Sequence, residues 1–230
     1  MTLTLFSYPQ LYGLSDNNPY GLKVATFLKL CKVEFRHEHI IDTGRAPRGQ
    51  LPYLDDDGLI VGDSDAIIAH LTAKLGLTID RNLDATQRRT DLMLRRTLDD
   101  LYWVMSYSRW YDDRFWPVFR DALLRTHAAL TVEQLDAARS CNFQRYHYQG
   151  ISRYEPAAVY ERGLRDLEAL TGLLGDGPFV FGEQIHGADA TVHGFIANIY
   201  FYDIDTPLKR AVEASPGLVA HCHELRRRMV

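Results

Sequence analysis

The sequence predicts two units, a small mixed α/β domain over residues 1–77 and an all-helical domain over residues 84–230. Three observations carry this reading. Period-two alternation and a two-residue turn signal are concentrated in the first part of the chain. From Asp84 onward strand signal is scarce, and apolar residues recur at helical spacing. Between the two, Thr78 to Leu83 is polar and aperiodic, as a linker is.

Taken in order, Thr2 to Ser7 alternates as a first strand. Tyr8 to Asn18 is a loop rich in Pro, Gly, Asp and Asn, long for a strand-to-helix connection, and long loops in compact domains often carry function. Its polar groups include Tyr8, Tyr12, Ser15, Asn17 and Asn18. Pro19 stands at a favoured first helical position, and Val24, Phe27, Leu28 and Cys31 share one helical face, Cys31 as a small buried hydrophobe. Val33 to Ile41 alternates as a second strand. His37 and His39 share a face there, but a metal site needs a third ligand and none stands nearby. Asp42 to Gly49 is a loop whose Arg45 and Arg48 are either solvated or able to clamp a carboxylate.

The stretch from Gln50 to Ser64 reads as strand, turn, strand and helix start. Leu51 to Leu54 and Leu59 to Val61 flank Asp57-Gly58, a strong hairpin signal because Gly accepts positive φ without strain. Pro52 enters the first of these strands, where no neighbour can need its missing N–H. Asp63-Ser64 opens the helix Asp65 to Leu75, which Gly76 ends. Either residue caps orphan backbone N–H groups, and the same N–H groups can instead hold a carboxylate or phosphate. The order so far, β-α-β then β-β-α, is the thioredoxin-like arrangement.

Beyond the linker, helices are expected over Asp84 to Tyr111, Glu133 to Tyr148, Glu155 to Leu174, Ala188 to Ile204 and Pro216 to Met229. In the fourth of these Asp189 sits in the first turn, where a carboxylate favours the helix dipole. The apolar stripe of the third includes Leu164. Tyr102, Trp103, Tyr107, Trp110, Tyr111, Phe115 and Trp116 crowd the end of the long first helix. They are either core or the wall of a pocket for an apolar small molecule.

Composition sets the outer bounds. With 46% hydrophobic and 24% charged residues, the 230-residue chain can bury a substantial core. A formal charge of -4 offers no basic field to a nucleic acid. No apolar run reaches the ~20 residues of a membrane span, and Met1 to Phe6 lacks a signal-peptide core, so the expected location is cytoplasmic. Cys31, Cys141 and Cys222 are odd in number and far apart, which points to neither a disulfide framework nor a dithiol centre.

Four ordered motifs resemble the glutathione S-transferase superfamily over nearly the full chain, in the branch of failed-axon-connections and metaxin-like proteins. They are NPYGLKVATFLKL, APRGQLPYLDDDGLIVGDSDAIIAHL, QGISRYEPAAVYERGLRDLEALTGLLG and PFVFGEQIHGADATVHGFIANI. The resemblance implies the glutathione S-transferase fold, with a glutathione-binding thioredoxin-like domain and an all-α C-terminal domain. It implies a cis Pro52, with the Leu51 backbone on the cysteinyl part of glutathione and Gln50 assisting. Asp63 and Ser64 would hold the γ-glutamyl end. At the thiol, where many members carry Ser or Cys, this chain has Asn18, whose amide can donate to a thiolate; Tyr8, Ser15, Ser7 and Tyr12 are further donors. His186 stands where the family usually has Ser or Thr before Asp189. Lack of a cysteine at the thiol position argues against a mixed-disulfide reductase. The implied function is conjugation of the glutathione thiolate to a small apolar electrophile, with glutathione as co-substrate, no metal, and a homodimer. The alternative is a non-catalytic binding or interaction module on the same fold, and a glutathione-dependent peroxidase or isomerase would need the same thiol site.

Overall fold

The computed structural model describes residues 2–229. A four-stranded mixed sheet is built from β1 (Leu3–Ser7), β2 (Arg36–His39), β3 (Tyr53–Asp56) and β4 (Leu59–Gly62), in the order β2-β1-β3-β4. β1 runs parallel to β2 and antiparallel to β3, and β3 turns back into β4. The Asp57-Gly58 turn takes positive φ at both residues, 51° and 94°, as a two-residue turn of type I′ demands. Because the period of a strand is two, Leu3 and Leu5 face inward with Leu54. There they meet α1 (Pro19–Leu30) and α2 (Ser64–Leu75) through Val24, Phe27, Leu28, Ile67 and Leu71. Cys31 is the C-cap of α1 and only half-buried; burial, then Asp80, pushes its thiol up to about 11.

The second strand is shorter than its alternation predicts, because it is an edge that pairs only with β1. His37 and His39 do share a face, with ring centroids 4.3 Å apart. Their nitrogens are engaged locally: His37 Nε2 with Ser7 Oγ at 2.7 Å, and His39 Nδ1 with the Tyr8 carbonyl at 2.9 Å.

The segment between α2 and the helical part is ordered. Asp80 accepts the Gly187 N–H at 2.8 Å, and Asp84 caps α3 (Ala85–Trp110) through a reciprocal box with Gln87. The remaining helices are α4 (Trp116–Thr126), α5 (Val132–Gln149), α6 (Pro156–Leu174), α7 (Gly187–Tyr200), α8 (Pro207–Glu213) and α9 (Pro216–Arg228). Their shared core gathers Leu98, Leu101, Val104, Tyr146, Val159, Phe195 and Leu218. α7 is buried along most of its length and lies directly on α1. A Cβ on Gly194 would stand 2.5 Å from the Pro19 carbonyl oxygen, so only glycine permits this approach. Asp189 anchors the helix start as a buried acceptor for the N–H groups of Val180 and His186, both at 2.8 Å, and for His221 Nε2 at 3.1 Å.

Candidate functional site

A cleft of about 770 Å³ opens between the end of the sheet that carries Pro52 and the faces of α3 and α5. That size lies within the range of small-molecule sites. On the sheet side its wall is made by Tyr8, Asn18, Gln50, Leu51, Pro52, Asp63 and Ser64. The helical side contributes Tyr102, Trp103, Ser106, Arg109, Trp110 and, from α5, Cys141 and Arg145.

Each sheet-side residue is placed by local chemistry. The Leu51–Pro52 bond is cis, both residues are buried, and exposed Gln50 precedes them. Asp63 takes φ 80°, unusual for a residue with a Cβ, and caps α2: its Oδ1 accepts the N–H groups of Asp65 at 2.9 Å and Ala66 at 3.2 Å. Its Oδ2 receives Arg48 at 3.1 Å. The Asp63 carboxylate is thus already engaged on both oxygens, and the helix start offers Ser64 rather than a full crown of free N–H groups. Ser64 is 5% exposed and faces the cleft. α2 is fixed by Asp65, which pairs with buried Lys23 of α1 and, at 3.1 Å, with Arg95 of α3. Burial works against the Asp65 charge, yet Lys23 and Arg95 hold its carboxyl below the usual range.

The loop after β1 folds back on itself. Leu11 and Leu14 exchange two backbone bonds, and the Asn17 N–H reaches the Pro9 carbonyl at 3.0 Å, which sets Asn17 and Asn18 beside Tyr8 and Pro9. Asn18 caps α1: its side-chain oxygen accepts the Tyr20 N–H at 3.0 Å. Because the oxygen is committed to the helix, the NH₂ group is the end left to donate into the cleft. The backbone of Asn18 is itself held by buried Asp16, which accepts its N–H at 2.7 Å. Burial, then Tyr102, pushes the Tyr8 phenol up to about 12, so it stays protonated and remains a donor at neutral pH.

Two family assignments bear on this geometry. Residues 19–115 match the glutathione S-transferase N-terminal domain, and residues 163–225 the glutathione S-transferase C-terminal domain. Over 98% of its length the chain is 30% identical to an isoprene-epoxide–glutathione S-transferase of Rhodococcus sp., covering 98% of that protein. The chain belongs to the glutathione S-transferase family. It is also 26% identical over 96% of its length to Failed axon connections of Drosophila melanogaster, of which it spans 56%. A glutathione S-transferase from Methylobacterium radiotolerans, solved in complex with glutathione sulfonate, shares the fold with a TM-score of 0.64 at 15% identity, over 100% of this chain and 93% of that one.

Of the residues that the family resemblance singles out, the structure brings Tyr8, Asn18, Gln50, Leu51, Pro52, Asp63 and Ser64 to one cleft. Ser15 is not on its wall, because the Leu11–Leu14 bridge turns that limb of the loop away. Ser7 is spent on His37 inside the sheet domain. Tyr12 packs its ring on Tyr202, 4.7 Å between centroids, with its hydroxyl buried. The crowded aromatics divide: Tyr102, Trp103 and Trp110 face the cleft, while Tyr107 and Trp116 are core. Arg109, Asp99, Asn142 and Arg145 line the cleft without any sequence motif to announce them.

Proposed function

We propose that the protein binds glutathione at Gln50, Leu51, Pro52, Asp63 and Ser64 and conjugates its thiolate to an apolar electrophile seated against α3 and α5. Asn18 donates its amide N–H to the thiolate, and Tyr8 adds a hydroxyl from the same wall. Holding the two reactants in one cleft and stabilising the thiolate supply the rate. The observation that carries the reading is a single cleft shared by the cis-proline edge, the α2 start and an aromatic helical wall. A homodimer in the cytoplasm belongs to the same reading. Glutathione titrated calorimetrically into the protein and into Ser64→Ala tests it: weaker binding by the variant is expected, and equal binding removes the site assignment.

A second reading is favoured by Asn18, which stands where many family members carry Ser or Cys. On it the fold is a glutathione-binding or interaction module without turnover. Glutathione binding together with no conjugation across epoxides, alkyl halides and unsaturated carbonyls selects it.

A further inference from the structure

The cleft holds a buried guanidinium with no carboxylate to answer it. Arg109 is 6% exposed, lies on the cleft-facing side of α3, and forms no ion pair among the described residues. Its partners are the Asn198 carbonyl, which takes one N–H, and the ring faces of Tyr202 at 3.9 Å and Phe119 at 5.9 Å. A guanidinium carries five N–H donors and stays charged. The Arg109 side chain lines the cleft and also borders a small void against Ile199, Tyr202 and Thr206, and one N–H goes to the Asn198 carbonyl, so further donors remain for a ligand. Burying a charge without a counter-charge is strongly unfavourable, and a carbonyl with a ring face compensates it only in part.

The charges around Arg109 point the same way. The acidic residues of the cleft wall are already answered: Asp63 by Arg48, and Asp99 by the Tyr20 hydroxyl at 3.0 Å and Arg96 at 3.2 Å. A second guanidinium, Arg145, is held by the Asn142 amide oxygen at 2.9 Å and lies 5.5 Å over Trp103, again with no ion pair among the described residues. The helical half of the cleft is therefore apolar in its walls, with Trp110, Phe119 and Leu123, and positive in its charge.

Position along α3 gives the spacing. Arg95 touches Asp65 at the α2 start, and Tyr102 packs 5.2 Å from Tyr20 beside the Asn18 cap. From Tyr102 to Arg109 the helix rises about 10 Å. We propose that the second substrate is an elongated apolar molecule bearing a carboxylate, which Arg109 receives at the far end of the cleft while the reactive carbon lies near Tyr102. This rests on the reading that the helical half of the cleft is the electrophile pocket.

Decanoate and decanamide, equal in length and differing in charge, test it by calorimetric titration into the full chain. About tenfold tighter binding of the acid is expected in the wild type. Arg109→Gln removes that difference by weakening only the acid, whereas Arg109→Lys, which keeps the charge, and Arg145→Gln both retain most of it. Equal binding of acid and amide by the wild type overturns the proposal even if Arg109→Gln does not fold, and so does a preference that survives Arg109→Gln unchanged. If Arg109 only staples α3 to α7, the variant melts lower and the wild-type ratio is one. Glutathione is titrated separately: normal glutathione binding without an acid preference sinks this proposal alone, and an acid preference without glutathione binding sinks the transferase reading alone.

Discussion

Asn18 has two jobs that substitution can separate. Its side-chain oxygen caps α1, and on the proposed reading its NH₂ donates to the glutathione thiolate in the cleft that Asn18 lines. Asn18→Ala removes both. Loss of the cap costs about 1 kcal/mol of stability. A hydrogen bond to a charged acceptor contributes about 1.5–3 kcal/mol, and one pKa unit corresponds to about 1.36 kcal/mol, so the bound thiol should titrate roughly one to two units higher. Asn18→Asp keeps a good cap and so keeps stability, but it offers no N–H and places a carboxylate against the thiolate; its thiol rises at least as far. Urea denaturation reads the first effect, and the ultraviolet thiolate band of bound glutathione followed against pH reads the second. If Asn18→Ala binds glutathione with an unshifted thiol pKa, the amide is only a helix cap, and Tyr8, whose phenol stays protonated to about 12, becomes the donor to test by Tyr8→Phe.

Two further predictions concern the joint between the sheet domain and the helices. His193 on α7 is sealed against Thr26 of α1, Nδ1 to Oγ1 at 3.1 Å, and burial, then His221 and Arg226, lowers its imidazole from 6.5 to about 3. It is neutral in the fold, so acid protonates the unfolded chain first. Stability present above pH 6.5 falls as pH drops toward 3, by at most about 1.4 kcal/mol per unit from this group. His193→Gln flattens that slope in urea melts taken across the range, and parallel curves for the two proteins exclude the effect. Gly194→Ala drives a Cβ against the Pro19 carbonyl and, at 2.9 Å, the Lys23 nitrogen, both backbone atoms that cannot rotate aside. It should cost about 1–3 kcal/mol, whereas Gly172→Ala in α6, with nothing within 4 Å of its Cβ, should be neutral or stabilising; equal stability of the two variants contradicts the close approach of α1 and α7.

Local chemistry was legible in the sequence and long-range placement was not. Asp57-Gly58, Pro19, Gly76 and Asp84 each fix their own turn or helix end, and each acts where its residue type predicts. α4 and α8 were missed for opposite reasons. The first begins among the aromatics that crowd the end of α3, and the second has only seven residues, too few for a periodic stripe to declare itself. Leu164 fits the apolar stripe of α6 by spacing but is 36% exposed. The buried face runs instead through Gly163, where Val104 and Leu208 would come within 2.9 Å of a Cβ. The helix that was expected to reach Ile204 stops at Tyr200, and Ile204 is buried from the following loop.

The same division separates the two halves of the cleft. The sheet-side half is written in contiguous motifs, because a proline before a strand and an acid-serine pair before a helix act on their own backbone within three or four residues. The helical half has no such grammar. Tyr102, Ser106 and Arg109 share a face of α3 by helical spacing, yet nothing local distinguishes a face that meets another helix from one that meets a cleft. What distinguishes it is only what the neighbours fail to supply. Asp112, three residues past Arg109, spends its carboxylate on Arg114 at 2.6 Å and the Tyr160 hydroxyl at 2.7 Å, which leaves Arg109 unanswered. A charge that the fold buries without neutralising is therefore a property of the assembled helices, and under the proposal made above substrate selection in this half of the cleft follows from that deficit rather than from any motif.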